Sequence, residues 1–503
     1  MSSARPQLVA TLPARSPAEA RTQVEEARRA GADLAELRFD RWPMGELPRA
    51  AELFPTPLPL IATLRSRLEG GEGPDDPDAR AGILSDLSCL PFSWIDLEAG
   101  RDTGSDLMAP REGTRQIIRS THLLRSATGP DLVRLLEEPA PEGSIRKVVF
   151  PVSTGRAVQE ILPALRSVRA SSGWVVHTTG GSGPLLRALG KRLHLPFVYG
   201  SLPEDAGRDP RRSVEPTQIP VDRLRRYFSD PGEPPLFAVV GHPVAHSLSP
   251  AIHDRWLEAS QRSGLYVGLD IGSEEEFRNA LVPLGDLGFH GLNVTHPWKA
   301  AALAAARKSS PAAQECGAAN CLTWSEGGWE ADNTDVLAIG RRLRELRIQG
   351  IWDGAHVTVL GAGGAARATL AAARSLAVEA TVVARRRSAA EGLARDYGAQ
   401  VGDPDRPSPA SLLVHATSAG RGSGGPLPWS VDRYIGPDST VLDWVYPAED
   451  SPLGHSVRAT GASYESGERL LVYQAAASFE NWWHVAPPPE AVRSVLTEVG
   501  CAA

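Results

Sequence analysis

Residues 356–387 read "HVTVLGAGGAARATLAAARSLAVEATVVARRR". An apolar run, a glycine turn, an alanine-rich stretch and a second apolar run predict strand, turn, helix and strand. Gly361, Gly363 and Gly364 open the helix and Ala365 adds no bulk, so the backbone can approach a pyrophosphate at the helix N-terminus. A site for NAD usually ends its second strand with an acid for the ribose hydroxyls. Arg385, Arg386 and Arg387 stand there instead, and arginine suits a 2′-phosphate, so NADP(H) is the expected cofactor. The bland alternative is a glycine turn in an ordinary α/β domain followed by a solvated basic run. Context and arginines together favour the nucleotide.

The whole chain has 503 residues, more than one ordinary core, and two or three domains are expected. No apolar run reaches membrane-spanning length. The N-terminus "MSSARPQLVATLPARS" lacks the long apolar core of a secretory signal, so a cytoplasmic protein with no membrane partner is expected. Cys89, Cys316, Cys321 and Cys501 show no metal-ligand spacing and are too few for a disulfide framework. A net charge of −7 leaves no footprint for nucleic acid. Proline and glycine cluster in "YFSDPGEPPLFAVVG", which marks a boundary near Pro231. Three domains follow, over 1–230, 236–347 and 348–503.

The first of these repeats a short apolar run and an amphipathic stretch. The runs are "LVATL" from Leu8, "LAELRF" from Leu34, "LIATL" from Leu60, "WIDL" from Trp94, "QIIRS" from Gln116, "KVVF" from Lys147, "WVVH" from Trp174 and "FVYG" from Phe197. Eight such units predict an α/β fold, a (β/α)8 TIM barrel, whose catalytic groups gather at the strands' C-terminal ends. Polar residues cluster there: Glu36, Arg38, Arg65, Glu69, Asp96, Glu98, His122 and Lys147. The charges are expected to face one mouth.

Only four of the 53 basic residues are lysines. Arginine stays charged, whereas a desolvated lysine can lose its proton and act as base or nucleophile. Lys191 and Lys308 have polar neighbours and read as solvated surface cations. Lys147 in "IRKVVFP" and Lys299 in "NVTHPWK" have apolar surroundings. Inside a barrel mouth and near other cations, Lys147 could attack a ketone to form a Schiff base, with His122 moving protons during elimination. Its competing reading is a buried lysine paired with Glu36 or Glu69. Beside a nicotinamide domain, Lys299 could protonate a developing alkoxide, with Asp335 of "DNTDVLAIG" as partner. Taken alone, Asp335 would more often be a helix N-cap.

The motifs "GHPVAHSLSPAIH", "GLNVTHPWKAA", "GAANCLTW", "NTDVLAIG", "VLGAGGAARA", "ATSAG", "VLDWVYP" and "LLVYQAAASFENWW" resemble those of shikimate dehydrogenases, in the same order, over nearly all of residues 236 to 495. The resemblance implies a two-domain unit ending in a Rossmann NADP-binding domain, with C-terminal helices returning to the substrate domain. It implies that Ser247 and Ser249 hold the substrate carboxylate and that Asn293, Thr295, Asn320 and Gln474 bind ring hydroxyls. Lys299 and Asp335 would be the catalytic pair, with Tyr446 near the substrate. Gly361, Gly363, Gly364, Ala365, Arg385, Arg386 and Thr417 would line the cofactor site. Cys321 replaces a usual threonine and Leu470 a usual methionine, and both are expected to retune the cofactor pocket.

The N-terminal "ELRFD", "TLRSRLEGGE", "IIRSTH", "IRKVVFP", "LLRALGKRLHLPFVYGS" and "VEPTQIP" resemble type I 3-dehydroquinate dehydratases over roughly 220 residues. This implies Lys147 as Schiff-base nucleophile, His122 as general acid/base and Glu69 orienting the histidine. Glu36, Arg38 and Arg65 would contact ring hydroxyls, Arg187 the carboxylate, and Gln218 would come from a closing loop. "THLL" lacks the usual aspartate after the histidine, and "VEPTQ" departs from the usual lid motif.

The chain therefore resembles bifunctional enzymes of the shikimate pathway, taking 3-dehydroquinate to 3-dehydroshikimate and then, with NADPH, to shikimate. Two rivals are a quinate or shikimate dehydrogenase working oxidatively and a ligand-sensing regulator with dead sites. The arginines count against NAD in the first. Retention of Lys147, His122, Lys299 and Asp335 counts against the second.

Overall fold

A computed structural model describes residues 5–43, 45–104, 116–139, 141–169, 173–203, 214–215, 217–245, 247–417, 419, 430–446 and 451–501. The chain divides into two compact units, Met1–Ser247 with Ser263–Phe289, and Leu248–Arg262 with His290–Ala503.

The first unit holds the eight expected strands: β1 (Gln7–Leu12), β2 (Leu34–Arg38), β3 (Leu60–Thr63), β4 (Trp94–Glu98), β5 (Gln116–His122), β6 (Ile145–Pro151), β7 (Gly173–Thr179) and β8 (Phe197–Gly200). They pair in parallel in the order β7-β6-β5-β4-β3-β2-β1-β8. Parallel strands need cover on both faces. One face packs helices against a layer that includes Leu12, Leu37, Leu64 and Leu97. The other gives the lumen a floor of one apolar residue per strand: Val9, Leu34, Ile61, Trp94, Ile118, Ile145, Val175 and Phe197. Among the described residues no ladder joins β7 to β8. Side chains bridge that seam: the Tyr199 N–H donates to His177 Nε2 at 3.3 Å, and the Arg187 guanidinium donates to Thr178 O and Tyr199 O at 2.9 and 3.1 Å.

The unit continues through β9 (Leu236–Gly241) and β10 (Leu265–Asp270), a parallel pair. Lys191, expected as a solvated cation, instead donates to the carbonyls of Asp230, Pro231 and Gly232 at 2.6–3.3 Å and fixes the segment between barrel and β9. Unmet carbonyls in a proline- and glycine-rich connection explain why an ammonium is drawn there. Lys308 behaves as expected, exposed and beside Glu330.

In the second unit, β11 (Phe289–Val294) runs antiparallel to β13 (Cys321–Ser325), which runs antiparallel to β14 (Gly328–Asp332); the short β12 (Lys308–Ser309) lies parallel to β14. The nucleotide-type sheet comprises β15 (His356–Leu360), β16 (Glu379–Val383), β17 (Gln400–Val401), β18 (Leu412–His415), β19 (Thr440–Asp443) and β20 (Ser463–Glu465), all parallel, in the order β17-β16-β15-β18-β19-β20. The order reverses between β15 and β18, and ligands of such sheets sit beyond the strand ends at that point.

Candidate active sites

Strand alternation builds the barrel site. Two residues beyond each floor position the same face presents Thr11, Glu36, Thr63, Asp96, Ser120, Lys147, His177 and Tyr199. Lys147 is 4% exposed. Its Nζ lies 2.9 Å from Asp96 Oδ2, 3.4 Å from Glu36 Oε1 and 4.2 Å from the Tyr199 ring centroid. Its direct contacts are two carboxylates and a ring, because β2 and β4 aim their acids into the lumen; the expected pairing with Glu36 is present, and Arg65 lies beyond Asp96, bonded to its other oxygen at 2.9 Å. Burial and the neighbouring acids push the Tyr199 phenol well above its ordinary value.

One layer higher, Glu69 holds His122. Glu69 Oε2 accepts the His122 backbone N–H at 3.0 Å and lies 3.4 Å from His122 Nδ1. Burial raises the Glu69 carboxyl to about 7, with Arg65 opposing. Burial, then Arg65 and Lys147, push the His122 imidazole well below its ordinary value. Arg65 pairs with Glu69, Asp96 and Glu98 at 2.8, 2.9 and 3.2 Å. Arg38 forms a two-pronged pair with Asp40 at 2.8 Å. Burial pulls the Arg187 guanidinium down to about 10, with Glu215 opposing; it forms no salt bridge among the described residues. Gln218 donates to Thr11 Oγ1 at 3.2 Å.

In the second unit Lys299 begins the helix Lys299–Ala305 and Asp335 lies in the first turn of Thr334–Ile348. Lys299 Nζ is 2.6 Å from Asp335 Oδ2, and Asn320 Nδ2 donates to Asp335 Oδ1 at 2.8 Å. The N-cap position belongs to Asn333, not Asp335. Asn293 donates to Ser478 Oγ at 2.8 Å, while Asn320 and Thr334 each lie 3.4 Å from Gln474 Oε1. Thr295 is half-buried in the loop after β11. Ser249 is buried at the start of the helix Ser249–Ala259, and Tyr446 packs against the apolar cluster that includes Ile252 and Trp256 of that helix. Ser247 lies in the first unit, its N–H on Val244 O at 2.9 Å.

The glycine turn fits a dinucleotide. Gly361 has φ +128°, and a Cβ there would lie 2.4 Å from Ala416 O. Gly363 caps the helix Gly364–Ser375 in extended conformation. Arg385 and Arg386 are exposed and form no ion pair among the described residues, so both are available to a phosphate. Ala365 packs at the edge of the domain core. A Cβ on Gly364 would lie 4.0 Å from Lys299 Cδ, which brings the lysine beside the turn. Cys321 faces Asn481, with Sγ 3.9 Å from Nδ2, and pairs with Asn293 across the ladder. Leu470 packs with Ala366, Ala416 and Leu442 in the nucleotide domain's core.

Sequence reading assigned no role to Asp96, Tyr199, His253 or the pair His415–Asp443. Asp96 and Tyr199 were findable from alternation, each two residues past an apolar floor residue. His253 is buried against Trp256, Phe479 and Trp482 and hydrogen-bonded to Asn293, with burial pulling it down to about 3.

A barrel with a carboxylate-held lysine, and a lysine–aspartate pair ahead of a Rossmann-type sheet, define a lyase-plus-oxidoreductase class of enzyme. Comparison narrows it. Residues 8–232 match the type I 3-dehydroquinase family and residues 239–322 the shikimate dehydrogenase substrate binding domain. Shikimate dehydrogenase (NADP(+)) of Anaeromyxobacter sp. (strain K) is 39% identical over 272 residues, 52% of this chain and 94% of that protein. The Halobacterium salinarum (strain ATCC 29341 / DSM 671 / R1) protein of that name is 34% identical over 265 residues, 52% and 98%. Shikimate 5-dehydrogenase from Thermus thermophilus, in complex with NADP(H) and shikimate, matches with 33% identity and a TM-score of 0.48, covering 53% of this chain and 99% of that one. The chain belongs to the shikimate dehydrogenase family and carries a type I 3-dehydroquinase domain ahead of it.

Proposed function

We propose that this chain performs two consecutive shikimate-pathway reactions: the barrel dehydrates 3-dehydroquinate through a lysine Schiff base, and the second half reduces 3-dehydroshikimate to shikimate with NADPH. The observation that carries the reading is the pair of differently housed lysines, Lys147 between two acids and Lys299 at 2.6 Å from Asp335.

In the barrel, Asp96 and Glu36 hold the Lys147 amine in place; attacking as the free amine, it adds to the ketone carbon, and loss of water from the carbinolamine leaves an imine. His122, kept neutral by burial, removes the proton beside the imine carbon and returns it to the departing hydroxyl, which leaves as water. Glu69 holds the ring for both transfers. Hydrolysis of the imine restores the lysine. Glu36, Arg38 and Arg65 are assigned the ring hydroxyls, Arg187 the carboxylate, and Gln218 the side of the closing loop.

In the second half, Gly361, Gly363, Gly364, Ala365 and Thr417 line the nucleotide and Arg385 and Arg386 take the 2′-phosphate. When bound, NADPH supplies hydride to the ketone carbon. Lys299 delivers a proton to the oxygen and, left as the free amine, regains one from solvent, while Asp335, oriented by Asn320, holds the lysine in place. Asn293, Thr295, Asn320 and Gln474 are assigned the ring hydroxyls, Ser247 and Ser249 the carboxylate, and Tyr446 a place near the substrate. Among the described residues no helix is long and apolar enough to cross a membrane. A cytoplasmic location belongs to the same proposal, in keeping with buried free thiols at Cys316 and Cys321. Domains over 1–230, 236–347 and 348–503 complete it.

The test supplies 3-dehydroquinate and NADPH to purified protein and follows both the conjugated enone and NADPH oxidation. Borohydride added with dehydroquinate should leave a covalent adduct on Lys147 and none on Lys299; an adduct elsewhere ends the assignment.

A further inference from the structure

His415 ends β18 and is fully buried, as is Asp443 at the end of β19. The two positions are register partners, and His415 Nδ1 lies 2.8 Å from Asp443 Oδ1. On the other side of the ring, Nε2 lies 2.7 Å from Thr417 Oγ1. Thr417 sits directly beyond the point where the sheet order reverses. A Cβ on Gly361 would lie 3.0 Å from Thr417 Cγ2, so this threonine touches the first glycine of the nucleotide turn.

Asp443 cannot swing away. Its Oδ1 also accepts the Val445 N–H at 2.9 Å, and its Oδ2 accepts the Ser451 and Tyr464 hydroxyls at 2.6 and 3.0 Å. The carboxylate accepts, so His415 Nδ1 donates, and in the neutral ring Nε2 is left as an acceptor. The Thr417 hydroxyl therefore donates to His415, while its oxygen accepts the Ala419 N–H at 3.1 Å. Two hydrogen bonds fix the threonine's rotamer and commit its proton to the protein. What remains toward the nucleotide is an acceptor lone pair, matched to a hydroxyl or amide donor and not to a phosphate oxygen.

We infer that His415, locked by Asp443, is a positioning residue for the cofactor site, which holds the Thr417 hydroxyl as an acceptor for a donor group of NADP(H). This rests on the NADPH reading above. The hydrogen bonds of His415 and Thr417 run to Asp443 and Ala419 and not to the Lys299–Asp335 pair, so the effect belongs in cofactor affinity.

The test is a double-mutant cycle read by equilibrium NADPH binding, with shikimate binding measured in parallel. His415→Phe keeps ring volume and removes both hydrogen bonds; NADPH Kd should rise roughly tenfold, about the worth of one lost hydrogen bond, with shikimate Kd unchanged. His415→Gln, which keeps a donor and an acceptor, should recover most of that loss. In a Thr417→Val background, His415→Phe should add less than about twofold, because it acts through the hydroxyl already removed. A full additional loss in that background, or an unchanged NADPH Kd in His415→Phe, overturns the inference. If His415→Phe fails to fold, judged by loss of shikimate binding, the cycle is run with Asp443→Asn, which frees the ring to change tautomer and loosens the same contact. An unsubstituted chain that binds no NADPH would instead fail the functional reading.

Discussion

Lys147 and Lys299 share a side chain and a carboxylate neighbour but not an environment. The Lys147 side chain is 6% exposed, with two acids and an aromatic ring around it. The Lys299 side chain is 28% exposed and meets one acid. The sealed amine stands among groups that can enclose a covalent adduct on β6. The more open amine, held by one acid beside the glycine turn, is placed to pass a proton to a bound ketone. Housing separates covalent chemistry from proton transfer, with no change of residue type.

The comparison is broken most severely at the barrel lysine. Lys147→Ala should lower dehydratase kcat roughly 10⁴- to 10⁶-fold, as loss of a nucleophile does, while reductase turnover on supplied 3-dehydroshikimate stays normal. Equal loss of both activities would refute the division of labour. Lys299→Ala should do the reverse, lowering only reductase kcat by about 10³-fold, the scale of a lost proton donor. The borohydride adduct on Lys147 should persist in that variant.

Glu69→Gln should reduce dehydratase kcat/KM by roughly 10²-fold and remove a limb of its pH profile. With the Glu69 carboxyl raised to about 7, activity that needs the ionised pair should rise through that pH, and this limb belongs to the Glu69–His122 pair as a unit. The stability sign is opposite. Between the unfolded carboxyl's pKa and about 7 the folded chain keeps a proton that the unfolded chain has released. Stability conferred by this group is therefore present below the unfolded value and falls as pH rises toward 7. Denaturant titrations of both proteins at pH 5 and 7.5 should show Glu69→Gln losing less stability than the parent over that range.

Smaller effects test the nucleotide side. Arg385→Ala with Arg386→Ala should weaken NADPH binding by about 10- to 30-fold and leave NADH binding nearly unchanged, because only the 2′-phosphate loses its partners. Loss of both affinities alike would place the arginines elsewhere. Cys321→Thr should shift thermal stability by about 1 kcal/mol and leave NADPH Kd unaltered, since the thiol packs on Asn481 and not on the glycine turn. A changed NADPH Kd would restore the sequence expectation.

Much of this was readable in the chain itself. Eight apolar runs gave eight strands, and "VLGAGGAARA" gave the turn with its helix, because both signals are local and periodic. The lumen layer of Glu36, Asp96, Lys147 and Tyr199 was also encoded, as polar residues two steps past apolar ones. One reading failed and two contacts were hidden, for one reason. Lys191 gained a row of carbonyls where solvent was expected, Lys147 gained Asp96 besides the expected Glu36, and Cys321 met Asn481. In each case the deciding partner is remote in sequence.

Sequence by itself determined the periodicities, the glycines that tolerate close backbone approach, the arginines after the second nucleotide strand and the few places where lysine was kept. Those properties depend on neighbours a few residues away. Tertiary structure decided which acid meets which amine. Asp96 lies 51 residues from Lys147, Asp335 lies 36 from Lys299, and Asp443 lies 28 from His415. Strand register and helix placement set those distances, which no local pattern of residues can encode.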